Sequence, residues 1–333
     1  MSAFTPHSRL PLQNLSLAPS SLKKYNRALV TFLTHTHLHF SKFLLLSPSR
    51  LDRLLSEFLQ YGYSTGMPFA YAANTLHCAV WYRPELRRLL PVTRQCLKGW
   101  ERVRPTQSYP PLTWELTVLL ASSLLRSGYH GPAISLLLAF DCYLRVSELL
   151  GLRRCDIVMP SDARMGRAST GMAVILPRTK TGLNQSVPLQ DPVVAQVLCA
   201  WMHAAPPRTP ADARVFPYSQ GQLRRLMRAA CLSHGLVTRY VPHSLRHGGA
   251  TADFLRTNSV EHVQFRGRWR SMESTRRYVQ ASRALLAAQQ VPQRVAELGA
   301  LLSDSLLSNV TQALARVPQV PLGAPGRRVT FRC

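Results

Sequence analysis

HSLRHGGATADFL, beginning at residue 243, and RWRSMESTRRYVQ, beginning at residue 268, place a histidine, an arginine, a tryptophan and a tyrosine in order at His243, Arg246, Trp269 and Tyr278. His243 and Arg246 are three apart at a helix start preceded by Pro242, so they share one face near an N-terminus that itself attracts anions. A histidine there can equally cap the helix or belong to the core. Tyr278 is either a buried ring with a bonded hydroxyl or a nucleophile. A free phenol, with a pKa near 10, is ionised about once in a thousand molecules at pH 7, a handicap of roughly 4 kcal/mol that neighbouring arginines and a base largely recover. In that setting Tyr278 becomes a plausible attacker of phosphorus.

Two further residues extend the set. Arg145, in YLRVSELLGL, is expected late on an apolar helix, where a guanidinium buried on one side needs an anion. An intrahelical pair with Glu148 or Asp141 meets that need, and an acid that holds the guanidinium also aims its fork at a ligand phosphate. Lys180, in TKTGLN, stands out by composition. Lysine accounts for five of the 41 basic side chains, and Lys180 is the only one after Lys98. In a chain that uses arginine for nearly every cation, one lysine at a hairpin tip is either a stray surface residue or a general acid, because an ammonium can release a proton and a guanidinium effectively cannot.

The whole chain supports a polyanionic partner. Its formal charge is +25, with only 16 acidic residues, and 46% hydrophobic residues are enough to build cores in two domains. Nucleic acid is the first candidate. Seven scattered cysteines with no C-x-x-C indicate neither zinc nor a disulfide framework, and His35, His37 and His39 alternate faces without a carboxylate or thiol beside them, so no metal and no cofactor are expected. The N-terminus has no apolar signal segment, and the longest greasy run, ISLLLAF, is too short to cross a bilayer. These features predict a soluble intracellular protein with no membrane partner.

The elements that must position these side chains are legible as periodic stripes. Residues 1–19 are expected as a disordered arm. A helix capped by Ser20 or Ser21, with Tyr25, Leu29 and Phe32 on one face, opens a small helical domain over 20–104. Lys23, Lys24, Arg27, Arg94, Lys98 and Arg102 can form its DNA-facing side, or simply be solvated. Residues 105–113 read as a proline-rich linker. In the second domain, 114–285, WELTVLLASSLLRSG and GPAISLLLAFDCYLRVSELLGL are expected as two helices, the second running to Gly151. RRCDIVM, GMAVILPR and NQSVPLQ read as a three-stranded antiparallel sheet with a mobile loop over 160–170. Helices resume through HSLRHGGATADFLRT, and a further one is expected to carry TRRYVQ. One amphipathic helix is expected over 284–316 (286–317 as a domain), with Val291, Val295, Leu298, Leu302, Leu306, Val310 and Leu314 on its stripe, either packed on its own domain or offered to another copy. A basic tail follows at 318–333.

Taken together the residues resemble the tyrosine recombinases, also called phage integrases, whose pattern is Arg, a β-hairpin Lys, His-x-x-Arg, His or Trp, and Tyr nine residues on. Arg145, Lys180, His243, Arg246, Trp269 and Tyr278 fill the six places in order. The resemblance covers roughly 110–285, and the domain over 20–104 is similar to the family's core-binding domain in size and position only. LRVSEL and GRWRS further resemble recombinases of eukaryotic mobile elements such as DIRS-like retrotransposons. Two departures concern local packing: Arg266 stands where the family usually has an aliphatic residue, and the 160–170 loop looks long.

The resemblance implies a mainly α fold with a small antiparallel β-sheet (α+β), in a two-domain architecture of helical core-binding domain plus catalytic domain. It implies that Tyr278 attacks a phosphate of double-stranded DNA and becomes joined to the 3′ end. Arg145 and Arg246 would clamp the non-bridging oxygens, His243 take the phenolic proton, Lys180 protonate the departing 5′ oxygen and Trp269 donate to the phosphate, with Glu148 and His247 in support. The family works as a homotetramer on DNA, and the 284–316 helix is the expected protomer contact. A eukaryotic host would place the protein in the nucleus, and any other host in the cytoplasm. Type IB topoisomerases share most of this chemistry, and a non-cleaving DNA-binding descendant is the alternative of another class.

Overall fold

A computed structural model describes residues 15–105, 109–160, 162, 171–179, 182–236 and 240–316. Residues 1–14 of the expected arm, most of the 160–170 loop, Lys180 and the basic tail lie outside the described residues. The chain divides into two compact units, Met1–Ser108 and Tyr109–Cys333.

In the first unit the helices Pro19–His35, Phe40–Leu45, Pro48–Ser64, Phe69–Tyr82 and Pro91–Val103 close around Leu29, Phe32, Leu51, Leu55, Phe58 and Leu76. Three of them begin on proline, whose fixed φ suits a first helical turn and whose missing N–H is no loss there. The first helix starts on Pro19 after Ala18, without a side-chain cap, so neither Ser20 nor Ser21 has the capping role expected of it. Buried Asp52 instead caps another helix, accepting from Val92 N at 3.0 Å and Thr93 N at 2.8 Å. Lys23, Lys24 and Arg27 are exposed on the first helix and Lys98 on the last.

The second unit opens with helices Trp114–Arg126 and His130–Asp141. The expected run to Gly151 is broken. The chain leaves the helix after Asp141, turns left-handed at Tyr143 (φ 47°), and restarts as the short helix Val146–Gly151 with Arg145 at its N-cap. Arg145 is therefore at a helix start, not late on a helix. The reason is local: the Arg145 backbone N–H donates to Glu148 Oε2 at 2.9 Å, satisfying a group that a continuous helix would have used otherwise.

Strands β1 (Ile157–Val158), β2 (Ala173–Arg178) and β3 (Leu183–Pro188) form an antiparallel sheet in that order, with Ile157 opposite Val174 and Val174 opposite Val187. Most of RRCDIVM is not strand, because Arg154–Asp156 forms a 3-10 turn. Helices Pro192–His203, Gln220–Ser233, Pro242–Thr257, Val260–Gly267 and Met272–Arg276 follow. The last of these stops short of Tyr278, so the tyrosine lies in a turn and not on the helix expected to carry TRRYVQ.

The single C-terminal helix expected over 284–316 is three: Ala281–Gln289, Gln293–Asp304 and Leu306–Arg316, interrupted near Pro292 and Ser305. Its stripe is used within the unit. Val295, Leu306 and Val310 are buried in the same core as Leu116, Leu119 and Leu120, while Leu298 on the same stripe is exposed. Gly299 permits the approach to the Trp114–Arg126 helix, since a Cβ there would stand 2.7 Å from the Glu115 carbonyl oxygen. Among the described residues no helix is long and apolar enough to cross a membrane.

Candidate active site

Five of the six expected residues gather in the second unit. The Pro242–Thr257 helix contributes His243 and Arg246. The turn after Val260–Gly267 contributes Trp269, the turn after Met272–Arg276 contributes Tyr278, and the start of Val146–Gly151 contributes Arg145. Lys180 lies outside the described residues. Its flanks are closed: Thr179 N donates to the Gly182 carbonyl at 2.9 Å and Gly182 N to Thr179 Oγ1 at 3.0 Å.

Arg246 is the centre of the arrangement and is fully buried. Its Nη1 donates to the Tyr143 carbonyl, and its Nη2 donates to the Gly267 carbonyl at 2.9 Å. Its Cζ stands 4.7 Å from the ring centre of Trp269 and 5.0 Å from that of Tyr278. Two glycines let its helix come this close. A Cβ on Gly248 would stand 2.1 Å from the Leu112 carbonyl oxygen, and one on Gly249 would stand 2.0 Å from that of Phe140.

Glu148 ties the cations together. Arg145 Nη1 meets Glu148 Oε1 at 2.6 Å, while Arg268 Nη2 at 3.1 Å and Arg246 Nη1 at 4.0 Å approach Oε2. The ion pair between Arg145 and Glu148 is thus present, and it does not consume the site's charge. Three guanidinia share one carboxylate. Burial pushes the Glu148 carboxyl up, but the Arg268 charge and the Arg145 backbone and side-chain donors outweigh it and hold it below the ordinary glutamate range. Burial and then the Arg145 and Arg268 charges disfavour the Arg246 cation. A cluster this short of negative charge gains from a bound anion.

Aromatic rings enclose Tyr278, which is half-buried. Its ring centre is 4.6 Å from that of Trp269, 4.8 Å from that of His247 and 5.5 Å from that of His243. Its main chain is also held, with Thr251 Oγ1 donating to the Tyr278 carbonyl at 3.3 Å and accepting from Gln280 N at 3.0 Å. Trp269 is buried, and its Nε1 has no hydrogen-bond partner among the described residues, leaving an indole donor beside the tyrosine. Burial and then the Arg246 and Arg145 charges push His243 below its ordinary value; burial and then His243 push His247 down to about 4. Both imidazoles are neutral at pH 7, so His243 is in the protonation state that can accept a proton.

The sequence reading missed Arg268 and Tyr143. Arg268 is left-handed (φ 58°) and its side chain is 5% exposed against Glu148; adjacency to Trp269 was the only cue, because nothing in spacing reports a contact 120 residues away. Arg266, noted only as a departure, is buried and paired with Asp141 at 2.8 Å and Asp253 at 2.9 Å. Among the described residues no group of three or more His, Cys, Asp or Glu is placed to hold a metal ion.

Residues 121–284 match the model of the phage integrase family. No curated protein sequence matches the chain. Among solved structures, the chain is similar to the XerH site-specific recombinase bound to palindromic difH substrate in a post-cleavage complex, with 15% identity, 87% of this chain and 80% of that chain covered, and a TM-score of 0.55. It is also similar to a lambda integrase dimer bound to a COC′ core site, with 14% identity, 84% of this chain and 83% of that chain covered, and a TM-score of 0.51. At these identities the likeness is one of fold. The family match falls on the stretch that carries all six residues, and the shared fold is mainly α with a small antiparallel sheet, so residues 121–284 form a phage integrase family domain of the tyrosine recombinase type.

Proposed function

We propose that this chain cuts and rejoins double-stranded DNA through a 3′-phosphotyrosyl link at Tyr278, in the integration of a mobile element. The observation that carries the reading is the cluster of Arg145, Arg246 and Arg268 on the single carboxylate of Glu148, beside the ring of Tyr278. A phosphodiester brings the missing negative charge. In the step proposed, the Tyr278 oxygen forms a bond to phosphorus and the bond from phosphorus to the 5′ oxygen breaks. His243 takes the phenolic proton and Lys180 supplies one to the 5′ oxygen. Arg145, Arg246 and the Trp269 indole N–H stabilise the charge that builds on the non-bridging oxygens. The link retains the energy of the broken ester, so a 5′ hydroxyl of another strand can displace Tyr278 and reseal the backbone.

Lys23, Lys24, Arg27 and Lys98 are proposed to contact DNA phosphates from the first unit; their exposure supports this. Exchange between two duplexes calls for a homotetramer on DNA. Because most of the 293–316 stripe is internal, a contact from the C-terminal helices would use their outward face, where Leu285, Leu286, Leu298 and Leu301 are exposed.

The test is a nicked duplex from which the cleaved 5′ fragment diffuses away. Wild-type protein is expected to accumulate as a denaturant-resistant adduct on the 3′ end and Tyr278→Phe to form none. No adduct with the wild type would favour a non-cleaving DNA-binding protein. Plasmid relaxation without strand exchange would favour a type IB topoisomerase.

A further inference from the structure

The two carbonyls that hold Arg246 belong to Tyr143 and Gly267, residues far apart in sequence and both outside the Pro242–Thr257 helix that carries the arginine. Both are fixed by one buried network behind the site. The Tyr143 hydroxyl donates to Asp253 Oδ2 and accepts from Arg266 Nη1 at 3.1 Å. Arg266, the residue next to Gly267, also bonds Asp253 Oδ2 at 2.9 Å and Asp141 Oδ1 at 2.8 Å. Its Cζ stands 4.8 Å from the centre of the Tyr143 ring, which stacks at 6.2 Å and 18° on Trp269. Tyr143 is left-handed, a conformation that is strained for a non-glycine residue and persists only where surroundings over-determine it.

The physics of burial says what such a network is for. The side chains of Asp141, Asp253 and Arg266 are each 6% exposed or less, and buried ion pairs are commonly no more stabilising than well-packed apolar side chains. Their distinguishing property is direction: each bond fixes an angle as well as a distance. Here the fixed objects are the two carbonyl oxygens on which the Arg246 fork rests.

We infer that Tyr143, oriented by Asp253 and Arg266, is the positioning residue for the Arg246 guanidinium, acting through its main-chain carbonyl and through its ring against Trp269. Tyr143 does not touch the reacting phosphate. The aliphatic residue usual in the family at position 266 would leave Asp141 without its cation, Asp253 with Arg256 as its one remaining arginine and the Tyr143 hydroxyl without its donor, so in this chain the tyrosine and the arginine work as a pair. The inference rests on the reading of Arg246 as a phosphate clamp.

The test uses the full chain and Tyr143→Phe, which keeps the ring and removes only the hydroxyl. Single-turnover adduct formation on the nicked duplex at saturating protein is expected to fall about ten- to a hundredfold, with DNA affinity within about twofold of wild type. In an Arg246→Lys background, where the fork is already lost, the same substitution is expected to cost no more than about twofold further. A second readout needs no activity: the Arg246 Nη proton and nitrogen resonances, identified by their loss in Arg246→Lys, are expected to be resolved in the wild type and merged by free rotation in Tyr143→Phe. Asp253→Asn carries the same expectations should Tyr143→Phe fail to fold. A cleavage rate within twofold of wild type, an equal loss in both backgrounds, or unchanged Arg246 resonances would overturn the inference. Absence of any wild-type adduct would instead sink the recombination reading, and the resonances would still decide whether Tyr143 positions Arg246.

Discussion

The indole of Trp269 lies 4.6 Å from the ring of Tyr278 at 31°, with the Arg246 guanidinium carbon 4.7 Å from the indole centre, so one buried side chain backs both the tyrosine proposed as nucleophile and the arginine proposed as phosphate clamp. Its unpartnered Nε1 separates the two contributions. Trp269→Phe retains much of the packing and removes the donor; it is expected to slow adduct formation about tenfold or more while changing stability by less than about 2 kcal/mol. Trp269→Ala removes both and is expected to cost roughly 3–5 kcal/mol in denaturant unfolding.

The pH dependence of cleavage should show where His243 titrates. Burial first, then the Arg246 and Arg145 charges, lower it from the ordinary histidine value, so the neutral base persists below pH 6.5. The midpoint of the acid-side decline in adduct formation is expected below pH 6.5. A midpoint at or above pH 6.5 would contradict a lowered His243.

Stability in acid follows from His247. Its value falls from 6.5 to about 4 on folding, through burial and the neighbouring His243. The unfolded chain therefore takes up this proton first, so the contribution is complete above pH 6.5 and is lost as the pH falls through about 4. At most about 3 kcal/mol is involved. His247→Gln is expected to flatten the fall in unfolding free energy between pH 6.5 and 4, measured by urea titration at each pH.

Close approach at the site helix is testable through glycine. A Cβ at Gly249 would stand 2.0 Å from the Phe140 carbonyl oxygen and 2.8 Å from the Tyr143 ring, and neither the backbone nor a ring packed on Trp269 can give way easily. Gly249→Ala is expected to destabilise the second unit by roughly 2–3 kcal/mol and to reduce adduct formation with it. Gly151→Ala, where nothing lies within 4 Å of the added methyl, is the control expected to change neither.

Removing the C-terminal helices should do more than disturb assembly. Truncation before Gln293 uncovers the core reached by Val295, Leu306 and Val310, and three such side chains contribute on the order of 5 kcal/mol. The truncated chain is expected to lose cooperative thermal unfolding of the second unit. A folded monomer that merely fails to assemble on DNA would show that the stripe serves between copies.

Much of the fold was legible because the signals are local. The helical stripes of the first unit, the change of period at the sheet and the helix bearing His243 and Arg246 each depend on spacings of two to four residues, which a sequence displays directly. Reading failed where a local signal continued through a tertiary break. ISLLLAFDCYLRVSELLGL is apolar enough to look continuous, yet the backbone turns at Tyr143 to deliver a carbonyl to Arg246, 103 residues away. The Val291–Leu314 stripe likewise looked like one helix, and its destination in its own core could not be read from its period.

By itself the sequence determined the identities and order of Arg145, Lys180, His243, Arg246, Trp269 and Tyr278, and hence the resemblance of residues 121–284 to the phage integrase family, because a chemical role needs particular side chains in whatever fold carries them. Tertiary structure alone decided that Glu148 would collect three guanidinia, that Arg266 would be neutralised by Asp141 and Asp253, and that the last helices would fold back inside. Those outcomes depend on distances between residues that lie as much as 125 positions apart within one ion pair and further apart still between helices, set by how whole helices pack, and no short-range pattern encodes them.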